Sequence, residues 1–278
     1  MLSKISPQLK IFKLNLMNSR LLKKVIEYKP NLVLVIKGEN LTTPTIKKVK
    51  NAVPIVNWFP DFLQDHKNVE KQIKFYSFFL HADRYEVKKY RKMGYKNFYL
   101  LAWAGMKIKS IPKKRDYDVV FVGTYNKKRE EKFAPLKNLN FKIWGDVRWK
   151  KSILANNYMG KWVSSNEVIE LLKKSKIVIN LHQNKSYLNT MANLRVYEAT
   201  SCKALLISDW WADLPKFYRI GKEIIVYRSK DDLVQKVRFY LKNELLRAKI
   251  ANAGYLKTFK EHTYGNRFRE LEHILHSK

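Results

Sequence analysis

The sequence predicts an α/β protein of two lobes, each an open parallel sheet flanked by helices, with a helical tail on the second. Three observations lead there. Short apolar runs alternate with stretches of helical periodicity along most of the chain. A polar segment with a proline and no periodicity, Ile108 to Arg115, separates two such sets. From residue 231 onward only helical periodicity remains.

The elements follow in order. Leu32–Ile36 reads as a buried strand after the Lys29-Pro30-Asn31 turn, and a polar helix covers roughly 43–51. Val53–Trp58 is a second strand, ending at Phe59-Pro60-Asp61. Tyr76–Leu80 and Phe98–Leu101 are two more. Between them a helix runs from Arg84 to Met93 and stops at Gly94, a usual C-terminal glycine. After the linker, Tyr117–Val122 is a strand, Gly123–Asn126 a turn and Lys127–Leu136 a helix. Phe141–Trp144 is a strand closed by Gly145, and Asn166–Lys173 a helix. Ile177–Leu181 is the next strand. A helix over Ala192–Ala199 leads into the buried strand Ala204–Ile207, and Ile224–Val226 follows. Stretches 231–242, 243–259 and 264–276 form the tail. The expected domains are 1–110 and 116–278.

Composition narrows the function classes. The 278 residues are 46% hydrophobic, enough for a sizeable core. The net charge is +32. An AT-rich coding bias can produce many lysines, but it does not explain so few acids. Such a surface attracts polyanions: nucleic acid, anionic headgroups or acidic glycans. The bland alternative is a solvated lysine surface. The single cysteine, Cys202, excludes an intramolecular disulfide or a cysteine zinc site, and it reads as a small buried residue. The first ten residues lack the apolar core of a signal peptide, and no apolar run is long enough to span a bilayer. The expected location is the cytoplasm, with any membrane contact peripheral and on the inner face.

Asn193, Arg195 and Glu198 fall within about one and a half helical turns, and the last two share a face. A carboxylate between a helix and a buried strand can accept both vicinal hydroxyls of a ribose, and an arginine beside it can grip a diphosphate with forked hydrogen bonds. The other reading is an ion pair on a solvated helix. Gly123-Thr124, between strand and helix, offers backbone N–H groups to phosphate, with Arg129 in the helix that follows. Trp144-Gly145 and Trp149 can stack on a base or serve the core. Asp61, past a strand end, is a candidate general base or a loop residue starting a turn. No histidine shows metal-ligand spacing, so no bound metal is expected. Asp116-Tyr117-Asp118 enters a strand instead of leaving one and is not read as a metal motif. No phosphate-binding lysine loop, dinucleotide fingerprint or serine-nucleophile elbow is present.

Taken in order, Asp118–Gly123 with Arg129, Ile177–His182, Asn193–Ala199, Gly221-Lys222-Glu223 and Glu261–Tyr264 resemble the CgeB-type (spore maturation) glycosyltransferases of the two-domain GT-B class. The match covers roughly 115–270. The first part, with Trp58, Asp61, Asp83 and the Gly94 segment, is similar more loosely. The resemblance implies two Rossmann-like domains with parallel sheets, the N-terminal one reduced, and a nucleotide-diphosphate sugar as donor substrate with no bound cofactor. UDP-sugars are expected ahead of GDP-sugars. Glu198 would hold the ribose and Arg129 and Arg195 the diphosphate. Gly123, Thr124, Trp144, Gly145, His182 and Asn193 would complete the donor side. The N-terminal domain would bind the acceptor, the cleft would close over both, and basic groups would replace a metal. The sequence departs from the family at three points. Thr190 stands where retaining relatives often carry a glutamate, Lys203 stands in place of a glycine, and the usual first strand with its glycine loop has no counterpart. The last points to a reduced acceptor side or a need for a partner.

The leading reading is therefore a glycosyltransferase with an anionic or membrane-proximal acceptor. A glycan or lipid-linked glycan is set slightly ahead of phage-type modified DNA. The competing reading is a non-catalytic polyanion- or nucleic-acid-binding protein on a degenerate GT-B scaffold.

Overall fold

A computed structural model describes residues 6–160, 164–182 and 191–276. Thr190 lies outside the described residues. Two compact units emerge, Met1–Ala102 with Leu271–Lys278, and Trp103–Glu270.

The first unit opens with a long helix, α1 (Pro7–Tyr28), which sequence periodicity did not reveal. Ser6 caps it and Pro7 occupies its first turn, where a missing N–H costs nothing. Buried Asn18 pins it. Its amide donates to Leu14 O at 2.8 Å and Asn40 O at 2.9 Å, and its carbonyl accepts from Thr42 N at 3.0 Å. Next come β1 (Val33–Ile36), α2 (Thr43–Ala52), β2 (Ile55–Phe59), α3 (Lys67–Gln72), β3 (Phe78–His81), α4 (Arg84–Lys92) and β4 (Phe98–Leu100). The strands form a parallel sheet in the order β1-β2-β3-β4, each beside its sequence neighbour. The strand order never reverses in this sheet.

The second unit is a doubly wound sheet. Its elements are β5 (Tyr117–Gly123), α5 (Lys127–Phe133), β6 (Phe141–Gly145), β7 (Tyr158–Gly160), α6 (Ser165–Lys173), β8 (Ser175–Asn180), α7 (Leu194–Ser201), β9 (Leu205–Asp209), α8 (Leu214–Phe217), β10 (Ile225–Tyr227), α9 (Lys230–Lys242), α10 (Glu244–Glu261) and the first half of α11 (Tyr264–His276), whose residues from Leu271 onward belong to the first unit. The expected helix 127–136 becomes a 3-10 turn at Ala134–Leu136, where Pro135 cannot donate. The sheet order is β10-β9-β8-β5-β6-β7, all parallel. Counted from its own first strand this is the Rossmann order, and it reverses between β5 and β8.

Both faces are buried, which explains the unbroken apolar runs. Val119, Phe121, Ile177, Ile179, Leu205 and Ile207 point to the layer containing Phe133, Leu233 and Val237. Val120, Val122, Val178 and Leu206 point to the layer containing Val168, Leu172, Val196 and Tyr197. Residues 108–115 are held against this unit. Tyr255 Oη donates to Ile108 O at 2.7 Å, and Arg115 donates to Cys202 O at 3.2 Å, Lys203 O at 3.0 Å and Lys173 O.

Candidate donor site at the strand-order reversal

Where strand order reverses, the loops leaving the two central strands diverge and open a crevice at their carboxyl ends. Here those ends are Gly123-Thr124 after β5 and Asn180-Leu181-His182 after β8. Arg129 ties them together. Its Nη1 donates to Thr124 O at 2.8 Å and Thr124 Oγ1 at 2.6 Å, and its Nη2 donates to Leu181 O at 2.9 Å. The guanidinium sits over the Phe121 ring and is buried. Burial pushes its pKa down, with the charge of Asp209 opposing. Of its five N–H donors three are used, and buried Nε has no partner among the described residues.

Glycine is required beside it. Gly145 has φ of +137°, and a Cβ there would lie 2.3 Å from Gly123 O. The two strand ends thus approach more closely than a side chain permits. Trp149 Nε1 donates to Gly123 O at 3.1 Å, and Tyr158 Oη to Gly145 O at 3.3 Å. Trp149 is fully buried. Trp144 packs in the apolar layer with its edge to Tyr117, so its ring serves the core.

His182 organises the start of α7. Asn193 N–H donates to its Nε2 at 3.2 Å, so that nitrogen carries the lone pair. The proton then lies on Nδ1 and is donated to Asp209 Oδ1 at 2.6 Å. The His182 backbone N–H also donates to the Asp209 carboxylate, at 3.1 and 3.2 Å. With both ring nitrogens engaged, His182 positions Asn193. The Asn193 amide donates to Asn180 Oδ1 at 2.9 Å, and its own Oδ1 is buried without a partner among the described residues.

One and a half turns along α7, Arg195 and Glu198 form the expected pair, Nη1 to Oε2 at 2.6 Å. It is not a solvated pair: the side chains are 18% and 12% exposed. Burial lowers the Arg195 pKa, and its Nε is a further buried donor without a partner among the described residues. Glu198 uses one oxygen on Arg195, and no described residue bonds the other. Arg129 Nε, Asn193 Oδ1 and Arg195 Nε are thus buried polar atoms left unmatched among the described residues, the first beside the two strand ends and the other two at the start of α7. Such a deficit costs about 1–3 kcal/mol per group unless a ligand meets it.

Two features of this region escaped sequence reasoning. Asp209 orients His182, and its signal was a carboxylate closing an apolar strand. A hollow of about 550 Å³ lies at the ends of β8, β9 and β10, with Lys128, Lys132, Arg228 and Trp210 on its walls. Among the described residues no group of three His, Cys, Asp or Glu side chains is placed to hold a metal ion.

In the first unit, Asp61 follows β2. Its carboxylate is 2.9 Å from Lys37 Nζ, and hydrogen bonding to Asp61 raises the lysine pKa. His66 lies 2.7 Å from Glu39 through Nδ1 and 3.9 Å from Asp61 through Nε2. Asp61 therefore belongs to a cluster of four polar side chains with Lys37, Glu39 and His66, of which the sequence had singled out Asp61. Buried His81 accepts from Asp83 N–H at Nδ1 and donates from Nε2 to Asp61 O at 3.0 Å, fixing that loop.

A parallel-sheet unit without strand reversal and a second unit with Rossmann order and a cation-lined reversal point define the GT-B class of glycosyltransferase folds. The comparisons agree. The fold aligns with Anabaena Alr3699/HepE solved in complex with UDP and glucose, at a TM-score of 0.67 and 10% identity, over 94% of this chain and 81% of that one. It aligns with the lipopolysaccharide outer core galactosyltransferase WaaB in its apo form, at 0.59 and 14%, over 97% and 82%. It also aligns with TarM, at 0.62 and 12%, covering 88% of this chain but 55% of TarM. Spore protein CgeB of Bacillus subtilis (strain 168) is 22% identical over 268 residues, 87% of this chain and 82% of CgeB. The Glycosyl transferase-like family pattern matches residues 128–273, more than half of the chain, and the chain belongs to that family.

Proposed function

We propose that the protein transfers a sugar from a nucleotide-diphosphate sugar, with the donor seated at the strand-order reversal of the second unit. The observation that carries this reading is Glu198. Its carboxylate is nearly buried, oriented through one oxygen by Arg195, and has the other oxygen without a partner among the described residues. A vicinal diol is the ligand such an acceptor suits. Arg129 and Arg195, both desolvated, supply positive charge to the leaving diphosphate in place of a metal. Gly123 and Thr124 bring backbone close to it, Gly145 permits that approach, and His182 sets Asn193 for a sugar or ribose hydroxyl. Trp144 contributes packing behind the site. A UDP-sugar is favoured over a GDP-sugar because a structural neighbour is solved with UDP-glucose.

Asp61 is the proposed general base, with Lys37, Glu39 and His66 as its electrostatic surroundings. The net charge of +32 favours an anionic or membrane-proximal acceptor. A glycan or lipid-linked glycan is preferred, with DNA as the rival.

The test is donor turnover with a panel of UDP- and GDP-sugars, together with thermal-shift screening of the nucleotides. A true donor nucleotide at 100 times its dissociation constant adds about 2.7 kcal/mol of stability. Wild-type protein is expected to hydrolyse or transfer from one donor, and Glu198→Ala to lose that turnover. Absence of turnover and of nucleotide stabilisation, with salt-sensitive DNA binding unaffected by Glu198→Ala, would establish the binding-protein reading instead.

A further inference from the structure

Helix α1 is too apolar on its outer side for a helix facing water. From Pro7 to Met17 every residue is exposed except half-buried Leu14. Leu9 is 44% exposed, Ile11 59% and Phe12 63%, and Leu16 and Met17 are also exposed. Leu9, Phe12 and Leu16 recur at i, i+3 and i+7, so they form one stripe along the outer face. The inner face is a different set, with Asn18 and Val25 buried against the unit. The helix therefore has two apolar faces, and no described residue covers the second.

The charges say what covers it. Lys10, Lys13, Arg20, Lys23 and Lys24 are all exposed, and Glu27 is the helix's single acid. Lys13, Arg20 and Lys24 fall on the row beside the apolar stripe. A row of cations flanking an apolar stripe matches a surface with negative headgroups over a hydrocarbon layer. A polyanion such as DNA offers no apolar phase for Phe12 and Leu16. A second copy of the helix would bring five cations against five. No helix among the described residues is long and apolar enough to cross a membrane, so the match is to a helix lying in the interface.

We infer that α1 is a membrane-docking helix that lays Leu9, Phe12 and Leu16 into an anionic bilayer while its lysines and arginine engage the headgroups. A stretch as short as Pro7–Met17 is marginal as a helix in water without packing, and insertion stabilises those exposed turns. The inference does not depend on the sugar chemistry, because vesicle binding is read without turnover.

The test is co-sedimentation of the full chain with vesicles of phosphatidylcholine alone and of phosphatidylcholine with phosphatidylglycerol. Binding is expected to the anionic vesicles and to weaken as salt rises. Each cation near such a surface contributes about fivefold in partitioning. Lys10→Gln, Lys13→Gln, Arg20→Gln and Lys24→Gln together should therefore lower it at least a hundredfold. Phe12→Ser with Leu16→Ser should lower it at least tenfold at a temperature where circular dichroism shows the variant still folded, since Phe12 is mostly exposed and Leu16 partly so. Failure of the wild type to sediment with anionic vesicles would overturn the inference. So would vesicle binding indifferent to Phe12→Ser and Leu16→Ser, which would assign it to the basic body of the protein. A dimer in light scattering that dissociates in this double variant, without vesicle binding, would assign the stripe to a second copy.

Discussion

Replacing Glu198 by glutamine separates its proposed ribose role from the ion pair. Glutamine keeps the size and one acceptor oxygen but removes the charge. Two effects follow, and both can be sized. Breaking a fully buried pair costs about 3–5 kcal/mol and an exposed one about 0–1. Arg195 and Glu198, at 18% and 12% exposure, fall between. A retained neutral hydrogen bond from Arg195 leaves a loss of about 1–2 kcal/mol, or a few degrees in melting temperature. The ligand effect is larger. Hydrogen bonds to a charged acceptor contribute about 1.5–3 kcal/mol each and neutral ones roughly half that. Two ribose hydroxyls thus lose about 1.5–3 kcal/mol together, or about 10- to 150-fold in Kd for UDP. Titration calorimetry with UDP and 2′-deoxy-UDP on wild type and variant closes a cycle in which the shared contact is isolated. Wild type should bind 2′-deoxy-UDP much more weakly than UDP, and in Glu198→Gln that penalty should largely disappear. A folded variant that binds UDP like wild type, or that keeps the whole 2′-deoxy penalty, would refute the ribose assignment.

Other predictions follow from single positions. Arg129→Gln removes the charge between β5 and β8 and should narrow the affinity ratio of UDP over uridine by about 10-fold or more, measured by calorimetry. Lys203 has φ of +53°, a left-handed conformation that glycine adopts without strain, and its backbone bonds to Thr200 O and from Arg115 do not need its side chain. Lys203→Gly should raise stability by about 0.5 kcal/mol in urea melts, after the entropic cost of glycine. A Cβ on Gly105 would sit 2.0 Å from Ser201 Oγ and 2.6 Å from Tyr197 O, so Gly105→Ala should destabilise by about 1–3 kcal/mol in the same assay. His262, buried and donating to Phe217 O, has its pKa pushed down to about 4 by burial. Its unfolded value is near 6.5, so below that pH the unfolded chain binds the extra proton. Its contribution is complete above about pH 6.5 and falls as pH drops towards 4, by about 2 kcal/mol at pH 5. His262→Gln should flatten that part of the pH–stability curve, read from urea midpoints.

How much was legible depended on where the information sits. The strands of the second unit could be read because each is buried on both sides, which forces consecutive apolar residues at Val119–Val122 and Ile177–Ile179. Strand β7 could not, because three residues at a sheet edge with Met159 exposed carry no pattern. Helix α1 escaped because apolar residues on two faces blur a single period. In the site, Arg195 and Glu198 do form the i,i+3 ion pair of one reading, but the pair is withdrawn from solvent and not solvated; the ribose and diphosphate roles of the other reading are proposed. Burial depends on packing around α7, which spacing cannot show. The role of His182 rests on Asp209, 27 positions away, and on Asn193, 11 positions away. Such a relay exists in space and leaves no local trace. Cys202 was legible as packing: it is fully buried, and burial raises its thiol to about 12.

Net charge is a weak guide to the site, and the reason lies in the arithmetic of pairing. At +32, at least that many cations lack a carboxylate even if every acid were matched one to one. Unmatched lysines therefore occur across the surface, where salt screens them within about 8 Å at physiological ionic strength. Arg129 and Arg195 differ in kind. Both are desolvated and both hold a buried N–H without a partner among the described residues; Arg129 bridges the strand ends at the reversal point and Arg195 lies in the first turn of α7. Water cannot screen them, so an anion bound there gains more than at any surface lysine. A consequence separates the two kinds of positive charge. Raising NaCl from 50 to 500 mM should weaken binding to an anionic vesicle or to DNA by orders of magnitude. It should weaken UDP binding by only a few-fold if, as proposed, the donor is held by the two desolvated arginines and Glu198. Equal salt sensitivity of the two would mean that the nucleotide sits on the surface field and not in the crevice.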